Sequence, residues 1–431
     1  MKVGAAFVQT FASQVLQSLA SIATGVLIAR GLGPVGQGRY ATFAAGVALG
    51  ALIASLGQFH GNVLAAADRG AAPRVLLLRA VLHGGAILAV LLVTLVLWGH
   101  WVPSEGRPAL AFLFALVLSL EAVAQMVRGI NLGRHQVAGW NIAGMTQRFV
   151  YFVAVALLAL SVGVRLEAVV ACWAVATGLS VVASGVWIWL GARHEPVTWR
   201  DVGDGWGGRL AQGLRPFATV GLTLLLVRAD IWMLGPMIGV ATVGQVSVAT
   251  YLAEWLWYVP SILGNLLFAV VAVDRSVRSV EQVARSARLV TSLLVPVMVA
   301  LLVGGRALVH LLYGPAYHEA GVLFTLLLPG MSALGIHLIV DSYFAGRGFP
   351  PITIWGAAAA LLLKVGLNLA VVPAAGAVGA VAVTSFVYIG LLAIKVVGFT
   401  RATGLPATDL FVLNQSDRAY LQGRIQAIVG V

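Results

Sequence analysis

The chain has 431 residues, 60% hydrophobic and only 10% charged, where a soluble domain carries roughly 25% charged residues. An ordinary water-soluble enzyme is excluded. The net charge of +12 would suit a nucleic-acid binder, but the distribution of the basic residues along the chain argues against it, and one cysteine, Cys172, excludes a disulfide within the chain.

Apolar runs of membrane-crossing length recur from end to end; about 20 helical residues cross a ~30 Å hydrocarbon core. The first covers 5–30. It is longer than the roughly 7–15 apolar residues of a signal peptide and is interrupted by Gln and Ser, so it reads as a membrane helix. Along it Thr10, Ser13, Gln14, Gln17, Ser18, Ser21 and Thr24 fall at steps of three and one. That spacing forms one polar stripe on a helix, and polar groups facing lipid are costly. The stripe either binds neighbouring helices or walls a hydrated cavity. Its four-turn length favours the cavity, with Gln14, Gln17 and Ser21 as contacts for sugar hydroxyls.

Further spans are expected over 40–64, 75–98, 109–128, 138–162 and 166–191. Before the second, Gly31 to Gly36 matches G-x-G-x-x-G, yet it follows a membrane helix and contains Pro34. It reads as a turn, not a dinucleotide site. Gly46 and Gly50 form a small-xxx-small pattern that predicts close helix packing within the chain. Glu121 and Arg148 lie at comparable mid-depth on consecutive helices and are expected to pair.

The stretch 192–213 is polar and Gly-rich, at the chain's midpoint, and reads as a cytoplasmic linker between two six-helix bundles, 1–191 and 214–398. The second bundle has spans over 214–238, 241–267, 287–303, 319–345, 350–372 and 376–398. Residues 35–45 and 243–253 share six of eleven identities in register, which predicts a parallel duplication of the halves. Such repeats place transport sites near their interface. Within these spans lie Arg228, Asp230, Glu254 and Lys364, each costing about 2.5–3.5 kcal/mol at a helix centre. The depths of Arg228 and Glu254 allow a pair. Arg228 and Asp230 point about 200° apart, and Lys364 has no evident partner. Arg148, Arg228 and Lys364 are therefore candidate handles for a diphosphate. Asp230 and Glu254 are candidates for coupling to Na⁺ or H⁺. No other cofactor is expected: the chain has no P-loop and no zinc-binding pattern. Residues 399–431 form a tail, with a short helix expected over 416–431.

With both termini in the cytoplasm, nineteen Lys and Arg fall on the cytoplasmic side and five on the outer side, which is the positive-inside bias.

Four stretches then resemble a known family. Leu27 to Ala41, Val227-Arg228-Ala229-Asp230-Ile231-Trp232-Met233-Leu234-Gly235, Leu312-Tyr313-Gly314-Pro315-Ala316-Tyr317-His318-Glu319-Ala320, and Asn368 to Ala382 occur in the order seen in polysaccharide flippases (Wzx-type) of the multidrug/oligosaccharidyl-lipid/polysaccharide (MOP) exporter superfamily. The resemblance implies an all-α integral membrane fold of two pseudo-symmetric six-helix bundles around a central cavity. It implies rocker-switch transport of undecaprenyl-diphosphate-linked oligosaccharide to the outer leaflet of the bacterial inner membrane, without enzymatic activity. The partners implied are the lipid-linked oligosaccharide, membrane lipids and polysaccharide-assembly proteins, with no nucleic acid. Two rivals stay open. A drug or cation exporter of the same superfamily would show an acidic, aromatic cavity. A polytopic glycan polymerase or ligase would need a large outer loop, and the outer segments here are short.

Overall fold

The computed structural model describes residues 3–67, 72–98, 107–134, 136–194, 206–274, 276–415 and 417, with backbone alone for 3–12, 137, 206–216 and 269. The helices are α1 (Val3–Ser55), α2 (Gln58–Ala67), α3 (Pro73–Trp98), α4 (Pro108–Gly133), α5 (Val137–Ser161), α6 (Leu166–Gly191), α7 (Trp206–Ile238), α8 (Val240–Ala253), α9 (Trp255–Val273), α10 (Val277–Tyr313), α11 (His318–Gly346) and α12 (Pro351–Thr403). The helix expected over 416–431 lies outside the described residues, apart from Asp417.

Among the described residues, ten helices are long and apolar enough to cross a membrane. The twelve expected spans fit them because α1 and α12, each 53 residues, are interrupted at Gly33 (φ 63) and Gly376 (φ 57). Glycine takes a positive φ without the Cβ clash that other residues meet. The G-x-G-x-x-G stretch is thus the turn that divides α1. The eighth span is α8 followed by α9, broken at Glu254. The ninth, expected over 287–303, belongs to a helix running from Val277 to Tyr313. Hydropathy marks the bilayer-crossing part of that helix; its polar ends continue the same hydrogen-bonded ladder, begun where the Ser276 hydroxyl accepts from the Arg278 N–H.

Two compact units divide the chain, Met1–Leu224 and Leu225–Val431, so the division falls inside α7. In the first unit, a Cβ on Gly46 or Gly50 would press on Phe114 or Leu118 of α4, so the small-xxx-small pattern seats one helix of the chain on another. Further along α4, a Cβ on Gly129 or Gly133 would meet the carbonyls of Phe59 and Val63 in α2, and Asn62 donates to the Met126 carbonyl at 3.1 Å. In the second unit α11 is the most buried span. Gln245, inside the second copy of the repeat, ties α8 to its entrance: it donates to the Ala316 carbonyl and accepts from the Ala320 N–H. Its counterpart Gln37 is buried as well.

The chain beyond α12 is pinned to α10. Arg288, buried, donates to the Asp417 carboxylate at 2.5 Å, to the Asp409 carbonyl at 2.7 Å and to Glu281 at 2.7 Å. Arg285 adds a bond to Asp417 at 3.1 Å. Burial alone would raise the Asp417 pKa; the Arg288 hydrogen bond, the Asn414 N–H and the charges of Arg288 and Arg285 outweigh it and hold the carboxyl below the usual aspartate range. A carboxyl depressed in the folded state stabilises above its unfolded pKa and loses that contribution as pH falls through the folded value. Asp417→Asn should therefore melt roughly 2–8 °C below wild type at pH 7, for a loss of ~1–3 kcal/mol. The gap should narrow as the pH falls below the ordinary aspartate range and close below the depressed folded pKa. Thermal unfolding in detergent at stepped pH checks this; a gap independent of pH would refute the ionic origin.

Candidate functional site

The intramembrane charges pair within each unit. In the second unit three helical segments each present a pair of residues four apart, one above the other on the same face. Leu226 and Asp230 come from α7, Lys364 and Asn368 from the first arm of α12, Thr384 and Tyr388 from its second arm. The Gly376 turn makes the two arms of α12 available to one site. Asp230 Oδ1 accepts from Asn368 Nδ2 at 2.8 Å. Its Oδ2 accepts from Thr384 Oγ1 and from Lys364 Nζ, each at 2.8 Å. Lys364 Nζ donates also to the Leu226 carbonyl at 2.8 Å and stands 5.3 Å from the centre of the Tyr388 ring. Lys364 is fully buried. The expectation of an unpartnered Lys364 is thus overturned: its ammonium is compensated by Asp230, as a charge sealed from water must be.

Arg228 leaves α7 on another side. Its guanidinium forks onto Glu254, Nη1 to Oε1 at 2.6 Å and Nη2 to Oε2 at 3.3 Å, and lies 5.1 Å from the centre of the Tyr251 ring. The pair expected from depth is present, and Arg228 and Asp230 take separate partners as their helical angle requires. Both side chains keep some exposure, 18% and 16%. Glu254 caps α8 where the helix breaks, with Pro260 six residues on in α9. Nearer the end of α11, Asp341 pairs with Lys395.

In the first unit Glu121 is the hub. Its Oε1 accepts from Gln147 Nε2 at 2.6 Å, Trp173 Nε1 at 2.9 Å and Thr177 Oγ1 at 3.0 Å. Its cationic neighbour is Arg128, with Nη2 at 3.5 Å from Oε2. Arg128 Nη2 also donates to Gln147 Oε1 at 3.3 Å. The expected Glu121–Arg148 pair is therefore replaced by Glu121–Arg128. Residues seven apart fall on one helix face, and α4 supplies the cation from two turns away. Arg148 is exposed and makes no hydrogen bond or ion pair with the described residues.

The polar stripe of α1 lies mainly inward. Ser13, Ser18 and Thr24 are buried and Gln14, Gln17 and Ser21 half-buried, while Val15, Leu16 and Leu19 are exposed. The hydroxyls of Ser18, Ser21 and Thr24 bond to carbonyls one turn back, and Gln17 donates to Ser13. The Gln17 amide fills the space where Gly144 of α5 lacks a Cβ. The Thr10 side chain lies outside the described residues.

Asn368, Thr384, Tyr388 and Gln147 are site residues that the sequence reading did not single out. The first two complete the shell of Asp230 from 138 and 154 residues away, a separation at which no local spacing gives a signal. Arg128 had one, its i, i+7 spacing from Glu121.

These features define a class, a polytopic all-α membrane protein with charged clusters in its spans. No family model and no curated relative matches the chain. Solved structures do. The lipid II flippase MurJ in an inward closed conformation superposes with a TM-score of 0.70 at 10% identity, over 94% of this chain and 89% of that one. An inward-facing multidrug resistance MATE family transporter of the MOP superfamily gives 0.67 at 16% identity, over 90% and 94%. A mutant form of the Vibrio cholerae MATE transporter VcmN gives 0.68 at 11%, over 92% and 96%. The chain shares the fold of these solved structures, an all-α architecture such as the resemblance implied.

Proposed function

We propose that this chain is a flippase that carries an undecaprenyl-diphosphate-linked oligosaccharide from the cytoplasmic to the outer leaflet of the bacterial inner membrane by alternating access. Both termini lie in the cytoplasm, and the protein serves polysaccharide assembly. One observation carries the reading: the charge balance of the spans. Glu121, Asp230, Glu254 and Asp341 each face a cation of the chain's own, Arg128, Lys364, Arg228 and Lys395. Arg148, well inside its span, has no ion pair among the described residues. A cationic drug needs an uncommitted carboxylate, whereas a surplus guanidinium suits a diphosphate. The fold shared with a lipid II flippase supports the same direction.

Coupling, on this reading, does not use Na⁺ at Asp230. Its carboxylate is already filled by Lys364, Asn368 and Thr384, and a sodium ion would have to displace the ammonium. A proton exchanged at the partly exposed Glu254 fits the geometry instead.

The test is transport by the purified chain in liposomes. A fluorescent undecaprenyl-diphosphate oligosaccharide should cross the bilayer, at an unchanged rate when choline replaces Na⁺, while a cationic dye should not be moved. Dye transport with a stationary glycolipid would transfer the chain to the drug exporters.

A further inference from the structure

The eighth span, α8 followed by α9, carries an aromatic face around its ion pair. Tyr251, Glu254, Trp255, Tyr258 and Asn265 fall at steps of three, one, three and seven, within a sector of about 100° on a helix. The break between α8 and α9 preserves that register. Glu254 keeps helical angles (φ −57, ψ −20), its N–H donates to the Thr250 carbonyl at 2.8 Å, and its carbonyl accepts from the Trp257 N–H at 3.2 Å. Tyr251, Glu254, Trp255 and Tyr258 are half-buried and Asn265 is exposed. Trp255 and Tyr258 stack, with ring centres 5.3 Å apart and planes inclined by 29°. The Arg228 guanidinium lies against the Tyr251 ring and forks onto Glu254.

Two ordinary roles for these rings do not fit. Aromatic anchors of a membrane helix sit at the two interfaces. Trp255 is fifteen residues after Val240 and eighteen before Val273, ~23 Å and ~27 Å from the two ends of the span. Nor does the face suit contact with lipid tails. A partly open ion pair and an exposed asparagine on one sector are costly against hydrocarbon and comfortable against water. The rings therefore border a hydrated space at mid-span.

We propose that this face of the eighth span is a platform on which the sugar rings of the glycan stack. This rests on the flippase reading and deepens it. A pyranose has a flat side of C–H groups and a rim of hydroxyls. The C–H groups carry partial positive charge and meet the negative face of an aromatic ring. Trp255 and Tyr258, nearly parallel, supply the ring surface. The hydroxyl rim needs acceptors and donors beside it. The Arg228 fork takes one acceptor position on each oxygen of Glu254, and an ionised carboxylate has about four. The remaining positions, with the amide of Asn265 about two turns beyond Tyr258, serve the hydroxyls. A bare diphosphate lipid gains nothing from the rings, so the platform selects for lipids that bear sugar.

The experiment compares undecaprenyl diphosphate with the same lipid bearing one glucose or one N-acetylglucosamine. Binding to the purified full-length protein is read by native mass spectrometry. Wild type should favour each sugar-bearing lipid over the bare one by roughly tenfold. Trp255→Leu and Tyr258→Leu should each cut that preference to about twofold and leave the affinity for the bare lipid unchanged, which also shows that the variants are folded. Trp255→Phe keeps a ring and should keep most of the preference. A wild type that binds all three lipids alike overturns the platform, as does Trp255→Leu with its preference intact. A leucine variant that loses the bare lipid as strongly as the sugar-bearing ones also overturns it, since the rings would then serve the acyl chain or the packing. Failure of the flippase reading is separate: it is the wild-type chain leaving the glycolipid stationary in liposomes. A wild type that moves the glycolipid but shows no preference for sugar would sink the platform and leave that reading intact.

Discussion

Lys364→Met should melt far below wild type, and the double variant Lys364→Met, Asp230→Asn should recover much of the loss. Asp230 stands in a shell with a single positive charge, the Lys364 ammonium at 2.8 Å, and Lys364 is fully buried. Removing either partner leaves the other charged and sealed from water, which costs about 3–5 kcal/mol. Removing both charges leaves an amide in place of the carboxylate. Its oxygen still accepts from Asn368 or Thr384, and methionine fills nearly the volume of the lysine stem. The double-mutant cycle should then show a favourable coupling of ~2–3 kcal/mol between the two sites. Thermal unfolding of the detergent-purified protein measures it. A double variant less stable than both singles would mean that the pair is not an interacting unit. Three helical segments meet at this pair, so the singles should also lower the amount of protein recovered from membranes.

The second large effect falls on transport more than on folding. If the chain is the flippase proposed above, Arg228→Ala or Glu254→Gln should reduce its glycolipid transport by about ten- to a hundredfold, for a loss of ~1.5–3 kcal/mol, with most of the protein still folded. Two features separate this pair from the first. Both partners retain exposure, so a lone charge keeps partial access to water. Glu254 also lies at the break that ends α8, with Pro260, which lacks an N–H, following in α9. The bidentate fork therefore holds α7 against the interrupted stretch of the span, the place where a membrane helix bends most readily. Releasing it should alter how that span moves. The charge swap Arg228→Glu, Glu254→Arg should restore an ion pair and the melting temperature but not transport, since the fork would then start from the wrong helix. Full transport by Glu254→Gln in liposomes would remove both the hinge and the proton-exchange role.

The local features were legible because they depend on neighbours in the chain. Hydropathy located the spans, and glycines at 33 and 376 made turns where the apolar runs divide. Gly46 and Gly50 marked a close helix contact through their spacing alone. The Arg228–Glu254 pair followed from depth counting on two consecutive spans. The same arithmetic misassigned Glu121, because it compared the depths of Cα atoms. An arginine side chain reaches more than a full helical turn, so Arg128 from the end of its own helix outcompeted Arg148. Lys364 appeared unpartnered because its partner Asp230 comes from a distant helix, and depth along a helix does not say which face it turns.

By itself, then, the sequence determined that this is an all-α membrane protein, where its apolar helical runs lie, and which charges fall inside them. Those properties follow from transfer free energy and helical rise, each a sum over adjacent residues. Only the tertiary structure decided how the charges combine: Asp230 with Lys364, Asn368 and Thr384, Glu121 with Arg128, and Arg148 with none of the described residues. Pairing depends on which helix faces meet, and that is set by packing within each unit, where glycines allow close approach and a buried charge accepts only arrangements that neutralise it.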